Sequence, residues 1–249
     1  MPAECSAHTC VVMPVYNEAP SIREVLDAVR AVFDGWIVVV DDGSTDATGP
    51  QLEARRDVWV VRHAHNRGYG ASLRSGFGAA LGLGAETVIT MDCDGQHEPR
   101  HVAEFCADLA RGGADIVSGS RYLPGSRAAG AVPAGRRDVN QRITETVNAV
   151  TGWGLTDAFC GFKAYRAEAL RRLSTEEPGY AMPLEMWARA WQGGLRVREM
   201  PVERIYNDHD RSFGQDLDDP ERRYAYYVAV WERALAGGPQ RCGTEPGGQ

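Results

Sequence analysis

From Cys10 onward the chain alternates short runs of β-branched residues with longer segments whose apolar positions recur at helical spacing. That alternation predicts βα units feeding an open, mostly parallel sheet flanked by helices, an α/β fold. Strands are expected over residues 10–15, 36–41, 58–62, 87–91 and 115–118. Helices are expected over 21–33, 70–83 and 99–111, the last with Pro99 where a first turn tolerates it.

After Gly119 the regularity breaks. Residues 121–137 are rich in Gly, Ala, Pro and Arg and read as a mobile surface loop within one fold rather than a linker between two cores. A second group follows, with helices over 140–150 and 184–192 and strands over 162–165 and 197–202. A last helix over 221–235 carries Tyr224, Tyr227, Val228 and Trp231 at i, i+3, i+4 and i+7, beside Arg222, Arg223 and Arg233. Such a stripe either faces a core, the commoner use of this spacing, or lies in a lipid interface. Residues 236–249, with five glycines and two prolines, are expected to form a disordered tail, leaving residues 1–235 as a single domain.

Composition narrows the function classes. Hydrophobic residues make up 43% and charged residues 24%, the balance of an ordinary globular protein. The net charge of -7 argues against general affinity for nucleic acid, whose phosphates need a basic face, and against binding anionic membranes by charge alone. No apolar stretch approaches the roughly 18 residues of a membrane span, and the N-terminus lacks the pattern of a signal peptide. A cytoplasmic location is the expectation. The six cysteines, at 5, 10, 93, 106, 160 and 242, contain no C-x-x-C pair and are expected to be free thiols.

In open parallel sheets ligands bind beyond the carboxyl ends of the strands. The first strand runs into Pro14-Val15-Tyr16-Asn17-Glu18, and the second ends in Asp41-Asp42-Gly43-Ser44-Thr45-Asp46. The fourth ends in Asp92-Cys93-Asp94-Gly95-Gln96-His97. Alternate residues of an extended chain point the same way, so two carboxylates one residue apart, with an amide oxygen two further on, can converge on a hard cation. An oxygen-rich set suits Mg²⁺ or Mn²⁺ rather than zinc. His97 and His101 stand four apart, but Pro99 puts the helix start between them, so His101 is expected to be a solvated first-turn residue; His63 and His65 are assigned no chemistry. In Asn66-Arg67-Gly68-Tyr69-Gly70-Ala71 the glycines serve either a phosphate at a helix N-terminus or close helix packing.

These pieces in this order resemble glycosyltransferase family 2, with its GT-A fold, and within it the dolichol-phosphate mannosyltransferase and polyprenyl-phosphate glycosyltransferase group. The resemblance runs from about Val11 to Phe213 through V-V-M-P-V-Y-N-E at 11–18, V-D-D-G-S-T-D at 40–46, N-R-G-Y-G-A at 66–71, M-D-C-D-G-Q-H at 91–97, G-S-R-Y at 119–122 and D-A-F-C-G-F-K at 157–163. It implies a Rossmann-like nucleotide-binding half joined to an acceptor half. It also implies a donor nucleotide held by Pro14, Tyr16, Asn17, Glu18, Asp41, Asp42, Gly70, Asp92 and Cys93, and a metal held by Asp94 and Gln96. Arg121 would contact an acceptor phosphate, and a guanidinium can grip phosphate with two parallel hydrogen bonds. Asp157 is a candidate base or organiser, with a buried structural carboxylate as the alternative.

The chain departs from the group's pattern in two places. Where an arginine is usually followed four residues later by serine, it reads Arg136-Arg137-Asp138-Val139-Asn140-Gln141-Arg142-Ile143-Thr144, leaving Arg137 and Arg142 as candidates for the acceptor phosphate. Where R-x-x-G-x-S-K is usual, it reads Asp210-Arg211-Ser212-Phe213-Gly214, which puts the role of Arg211 in doubt.

The reading that follows is an inverting, metal-dependent hexosyltransferase. It takes mannose or glucose from GDP-mannose or UDP-glucose to a polyprenyl (dolichyl or undecaprenyl) phosphate. Peripheral association with the cytoplasmic membrane face, or a membrane partner, would bring it to that acceptor. A soluble hydroxyl acceptor and an inactive nucleotide-sugar-binding module are the alternatives.

Overall fold

The computed structural model describes residue 5 and residues 7–129, 134–205 and 217–238. The elements in chain order are β1 (Thr9–Val15), α1 (Ile22–Arg30), β2 (Trp36–Asp41), α2 (Thr48–Glu53), β3 (Trp59–Arg62) and α3 (Tyr69–Gly82). Next come β4 (Thr87–Thr90), α4 (His101–Ala110), β5 (Ile116–Ser120), β6 (Ala128–Ala129), α5 (Ala134–Thr151) and β7 (Lys163–Arg166). The chain continues through α6 (Ala167–Arg172), α7 (Met182–Gln192), β8 (Val197–Pro201), β9 (Arg204–Ile205) and α8 (Pro220–Ala236).

Seven strands form one sheet in the order β3-β2-β1-β4-β7-β5-β8, while β6 and β9 pair separately. The β3-β2-β1-β4 half is parallel throughout, with Val12 opposite Val38 on one side and Thr90 on the other. β7 enters antiparallel between β4 and β5, which separates two strands that are neighbours among the parallel strands in sequence. The ladder between β1 and β4 ends at Val12, two residues before Pro14, which has no N–H to give.

The uninterrupted apolar run of β2 follows from burial on both faces. Val12, Val38 and Val40 join one core layer with α3, α5, α7 and α8; Val11, Met13, Ile37 and Val39 join the other with α1 and α4. On α3 the small residues allow close approach to the sheet, since a Cβ on Gly76 would lie 2.3 Å from Val12 Cγ1. The stripe on α8 is a core stripe: Tyr227, Val230 and Trp231 are buried, Tyr224 and Val228 pack against the same layer, and Tyr227 meets Phe159 at 4.6 Å between ring centroids.

Several expectations are corrected. α2 and α6 carried no expected helix: each is six residues long, and α6 follows β7 with no turn residue to mark the change. α5 starts at Ala134 and so absorbs the end of the expected 121–137 loop; residues 130–133 of that loop lie outside the described residues. Asp219 opens α8 by accepting the Arg222 N–H at 2.8 Å, and the helix runs through Ala236, one residue into the expected tail; residues 239–249 of that tail lie outside the described residues. His101 is buried rather than solvated, bonded to Glu104 at 2.5 Å and to Glu203.

The free-thiol expectation fails for one pair. Cys5 and Cys106 are disulfide-bonded, with Cα atoms 5.4 Å apart, which ties Cys5 to α4. A separation of 101 residues offers no spacing signal for such a pair. Cys10, Cys93 and Cys160 are buried and form no disulfide, and Cys242 is outside the described residues.

The packing of α3 gives a paired test. Gly76→Val forces branched carbon into Val12 and is expected to cost about 2 kcal/mol or more in urea unfolding. Gly78, on the same helix, has nothing within 4 Å of its would-be Cβ. Gly78→Ala is expected to stabilise by up to about 1 kcal/mol.

Candidate active site

β1, β2 and β4 run parallel, so their carboxyl ends meet at one rim, and side chains there cross-link neighbouring loops. Asn17 sits in the left-handed region at φ 56°, which asparagine tolerates better than most residues. Its N–H donates to Ser44 Oγ at 3.0 Å, and its Oδ1 accepts the Thr45 N–H at 2.8 Å. Glu18 N–H donates to Thr48 Oγ1 at 2.9 Å and Ala19 N–H to Asp46 Oδ2 at 3.1 Å. Ser21 Oγ ties the same region to the fourth strand end by donating to Cys93 O at 2.8 Å. Pro14 and Cys93 are buried beneath this lacing, while Tyr16 is 43% exposed above it.

The two acidic residues at the end of β2 turn their oxygens into the protein. Asp41, with no exposed surface, accepts the Ser44 N–H at 2.9 Å through Oδ1. Its Oδ2 lies 3.2 Å from Arg62 Nε, off the line of a hydrogen bond, so that pair is held by charge. Asp42 accepts from Arg67 N–H at 2.9 Å and Gly68 N–H at 2.8 Å, and lies 2.6 Å from His63 Nδ1. The far nitrogen of His63 is 2.8 Å from Ser75 Oγ. His63, given no role from sequence, thus helps hold the 63–68 loop. A Cβ on Gly68 would lie 2.4 Å from Pro178 O, and one on Gly70 2.3 Å from Glu177 O. Both glycines therefore allow close packing at the start of α3.

The turn after β4 holds the acidic motif. Asp94 Oδ1 accepts the Gln96 N–H at 3.0 Å, placing the two residues on one tight turn. Asp92, with its side chain 27% exposed, accepts from Tyr69 OH at 3.1 Å, and its own N–H donates to His97 Nδ1 at 3.1 Å. That bond leaves the His97 proton on Nε2. The ring stacks on Phe162 at 5.0 Å, and burial pushes its pKa below the ordinary histidine value against the pull of Asp92 and Asp94.

Among the described residues no group of three or more His, Cys, Asp and Glu side chains gathers to hold a metal. Asp94 and Gln96 with Asp92 offer an all-oxygen partial set. Carboxylate and amide oxygens are the donor chemistry that a divalent ion of the Mg²⁺ class takes, with substrate phosphates and water as its further ligands.

On the other side of the site Arg121, just past β5, meets Asp157. Its Nε and Nη2 donate to Oδ2 at 2.6 Å and Oδ1 at 2.9 Å, and its backbone N–H to Oδ2 at 3.2 Å. Asn140 Nδ2 on α5 and the Phe159 N–H also donate to Asp157, at 2.9 and 3.2 Å. Burial alone would raise this carboxyl, but the Arg121 charge and these hydrogen bonds hold it below the usual range. Glu199 on β8 clamps the preceding loop by accepting from Thr156 N–H and Oγ1 and from Asp157 N–H; burial pushes its own carboxyl up.

The remaining arginine candidates divide. Arg137 is exposed on the rim of a groove of about 290 Å³ that Tyr122, Asn140 and Thr156 also line. Arg142 is committed to α8, bonded to Glu221 at 2.7 Å and stacked 3.8 Å over Tyr224. Arg211 lies outside the described residues. Sequence reasoning also passed over Tyr69, Asn140, Glu199 and Lys163. Lys163 is buried with its amine on Cys160 O and 5.3 Å over the Trp187 ring; burial pushes it below the ordinary lysine range, with Asp157 and Asp92 opposing. None of the four stands in a motif position whose chemistry is self-evident, since their roles come from contacts between distant segments.

The Asp157 pair sets a pH-dependent stability. Asp157→Asn leaves a partly buried guanidinium without its counter-charge and is expected to cost on the order of 3 kcal/mol at pH 7. A carboxyl with a lowered folded pKa contributes stability above its unfolded value, about 3.9, and loses it as pH falls further. Urea unfolding of wild type and variant at pH 7 and pH 3 should therefore show the gap shrinking in acid.

Residues 10–174 match the model of Glycosyl transferase family 2. The polyprenol monophosphomannose synthase of Mycolicibacterium smegmatis is 32% identical over 232 residues, 90% of this chain and 86% of that protein. The undecaprenyl-phosphate mannosyltransferase of Micrococcus luteus is 31% identical over 199 residues, 77% of this chain and 81% of the relative. Among solved structures, glucosyl-3-phosphoglycerate synthase from Mycobacterium tuberculosis, in complex with Mn²⁺, uridine diphosphate and glucosyl-3-phosphoglycerate, aligns with a TM-score of 0.69 at 20% identity. That alignment covers 94% of this chain and 81% of the other, and it is a likeness of fold. With the family model spanning most of the sheet and the acidic turn, the chain belongs to glycosyl transferase family 2.

Proposed function

We propose that this chain moves a hexose, mannose or glucose, from a nucleotide diphosphate sugar such as GDP-mannose or UDP-glucose to a polyprenyl phosphate, inverting the anomeric carbon. It does so as one GT-A domain over residues 1–235. The relatives named for polyprenol and undecaprenyl phosphate support the acceptor class.

The observation that carries the acceptor assignment is the state of Asp157. An acceptor hydroxyl needs a general base. Asp157, the carboxylate in the expected position, is fully buried, accepts five hydrogen bonds and is held ionised below the usual range. It is built to hold Arg121, not to take a proton. A phosphate monoester is already anionic near neutral pH and needs no base, so the two facts agree.

In the reaction a phosphate oxygen of the acceptor forms the new bond to the anomeric carbon while the bond to the donor diphosphate breaks, with no net proton transfer. A divalent ion, when bound, neutralises charge on the departing diphosphate. Asp94 and Gln96 would hold that ion. Tyr16 and Glu18 border the nucleotide site, with Pro14, Asn17, Asp41, Asp42 and Cys93 shaping it from beneath. Arg121, fixed by Asp157, and Arg137 on the groove would bring the acceptor phosphate against the repulsion of the donor. A lipid acceptor calls for work at a membrane surface, peripherally at its cytoplasmic face or beside a membrane partner. No helix among the described residues is long and apolar enough to cross a membrane.

The test supplies radiolabelled GDP-mannose or UDP-glucose with polyprenyl phosphate and Mn²⁺. Label is expected to pass into the organic phase, and EDTA to stop it. Asp94→Asn and Gln96→Ala should each slow transfer about 100-fold. Transfer only to a soluble hydroxyl acceptor would overturn the lipid assignment, and nucleotide binding without turnover would leave a binding module.

A further inference from the structure

We propose that Tyr69 is a positioning residue for Asp92: its hydroxyl fixes which way the carboxylate faces at the rim, so that the acidic turn meets a donor diphosphate in one orientation. The inference rests on the donor site described above, and goes beyond it in giving the first residue of α3 a part in the reaction.

The geometry around Asp92 is asymmetric. Tyr69 OH donates to Oδ1 at 3.1 Å. Against Oδ2 lies the backbone of Gly161, where a Cβ would stand 2.3 Å from that oxygen. Thr90 Oγ1 in turn holds Gly161 by donating to its carbonyl at 2.6 Å. His97 accepts from the Asp92 backbone and stands 4.0 Å from Oδ2, too far for a hydrogen bond. Among the described residues Tyr69 is thus the one hydrogen-bond donor on this carboxylate. The terminal torsion of an aspartate is broad and roughly two-fold, so a single donor on one oxygen and a wall behind the other decide its setting.

Tyr69 is itself firmly placed. Gly68, at φ 98°, and Gly70 press the start of α3 against the carbonyls of Pro178 and Glu177, and the Tyr69 ring stacks on Tyr180 at 5.9 Å with 22° between planes. With the ring held in this way, the hydroxyl is presented to Asp92 Oδ1 from a fixed direction.

The experiment is a double-mutant cycle with Tyr69→Phe, Asp92→Asn and the pair, read in two ways. Tyr69→Phe keeps the ring and its stack, so the thermal midpoint should stay within about 2 °C. Its kcat should fall about tenfold with donor KM changed less than about twofold, and it should have almost no effect when Asp92 is already Asn. In parallel, calorimetry with GDP or UDP and Mn²⁺ should show binding weakened about threefold by Tyr69→Phe in the wild-type background and unchanged in the Asp92→Asn background. Equal effects of Tyr69→Phe in both backgrounds, or a loss confined to the thermal midpoint, would overturn the proposal. If wild type transfers nothing to polyprenyl phosphate, the acceptor reading fails, while the nucleotide-binding cycle still decides the part played by Tyr69.

Discussion

A carboxylate with no exposed surface stays ionised only if the protein replaces the water it has lost. Asp157 meets that condition with a forked arginine, an asparagine amide and two backbone N–H groups. The donors come from the end of β5, from α5 and from its own loop, while Glu199 on β8 holds the loop from the other side. This side of the rim is therefore assembled around one charge. Its arginine is aimed by a partner that cannot move without leaving a charge unpaired.

The rim beyond β1 and β2 is held in a different way. There, side chains after β1 and β2 bond to one another's backbones, and Asp42 gathers the loop that leads to α3. Carboxylates whose sequence position suggests ligand contact act in this structure as internal acceptors. A rim laced by internal hydrogen bonds is set before charge develops, which is the condition for electrostatic catalysis.

The two halves meet across β4 and β7. Because β7 runs antiparallel between β4 and β5, it brings Gly161 and Lys163 beside the acidic turn and Asp157 beside Arg121. The acidic turn and the Arg121–Asp157 pair are thus joined through β7 and the loop that leads into it.

Much of this was legible in the chain alone. Period and punctuation located the parallel strands and the helices α1, α3 and α4, because a strand buried on both faces must be apolar throughout and each loop between them carries turn residues. The acidic turn could be read because its residues are adjacent. What tertiary structure decided was every pairing between distant segments: Cys5 with Cys106, Tyr69 with Asp92, Asn140 and Arg121 with Asp157, Arg142 with α8 rather than with the site. Hydrophobic pattern carries the period of an element but not its neighbours. The same aspartate reads as ligand or scaffold until the donors around it are in place.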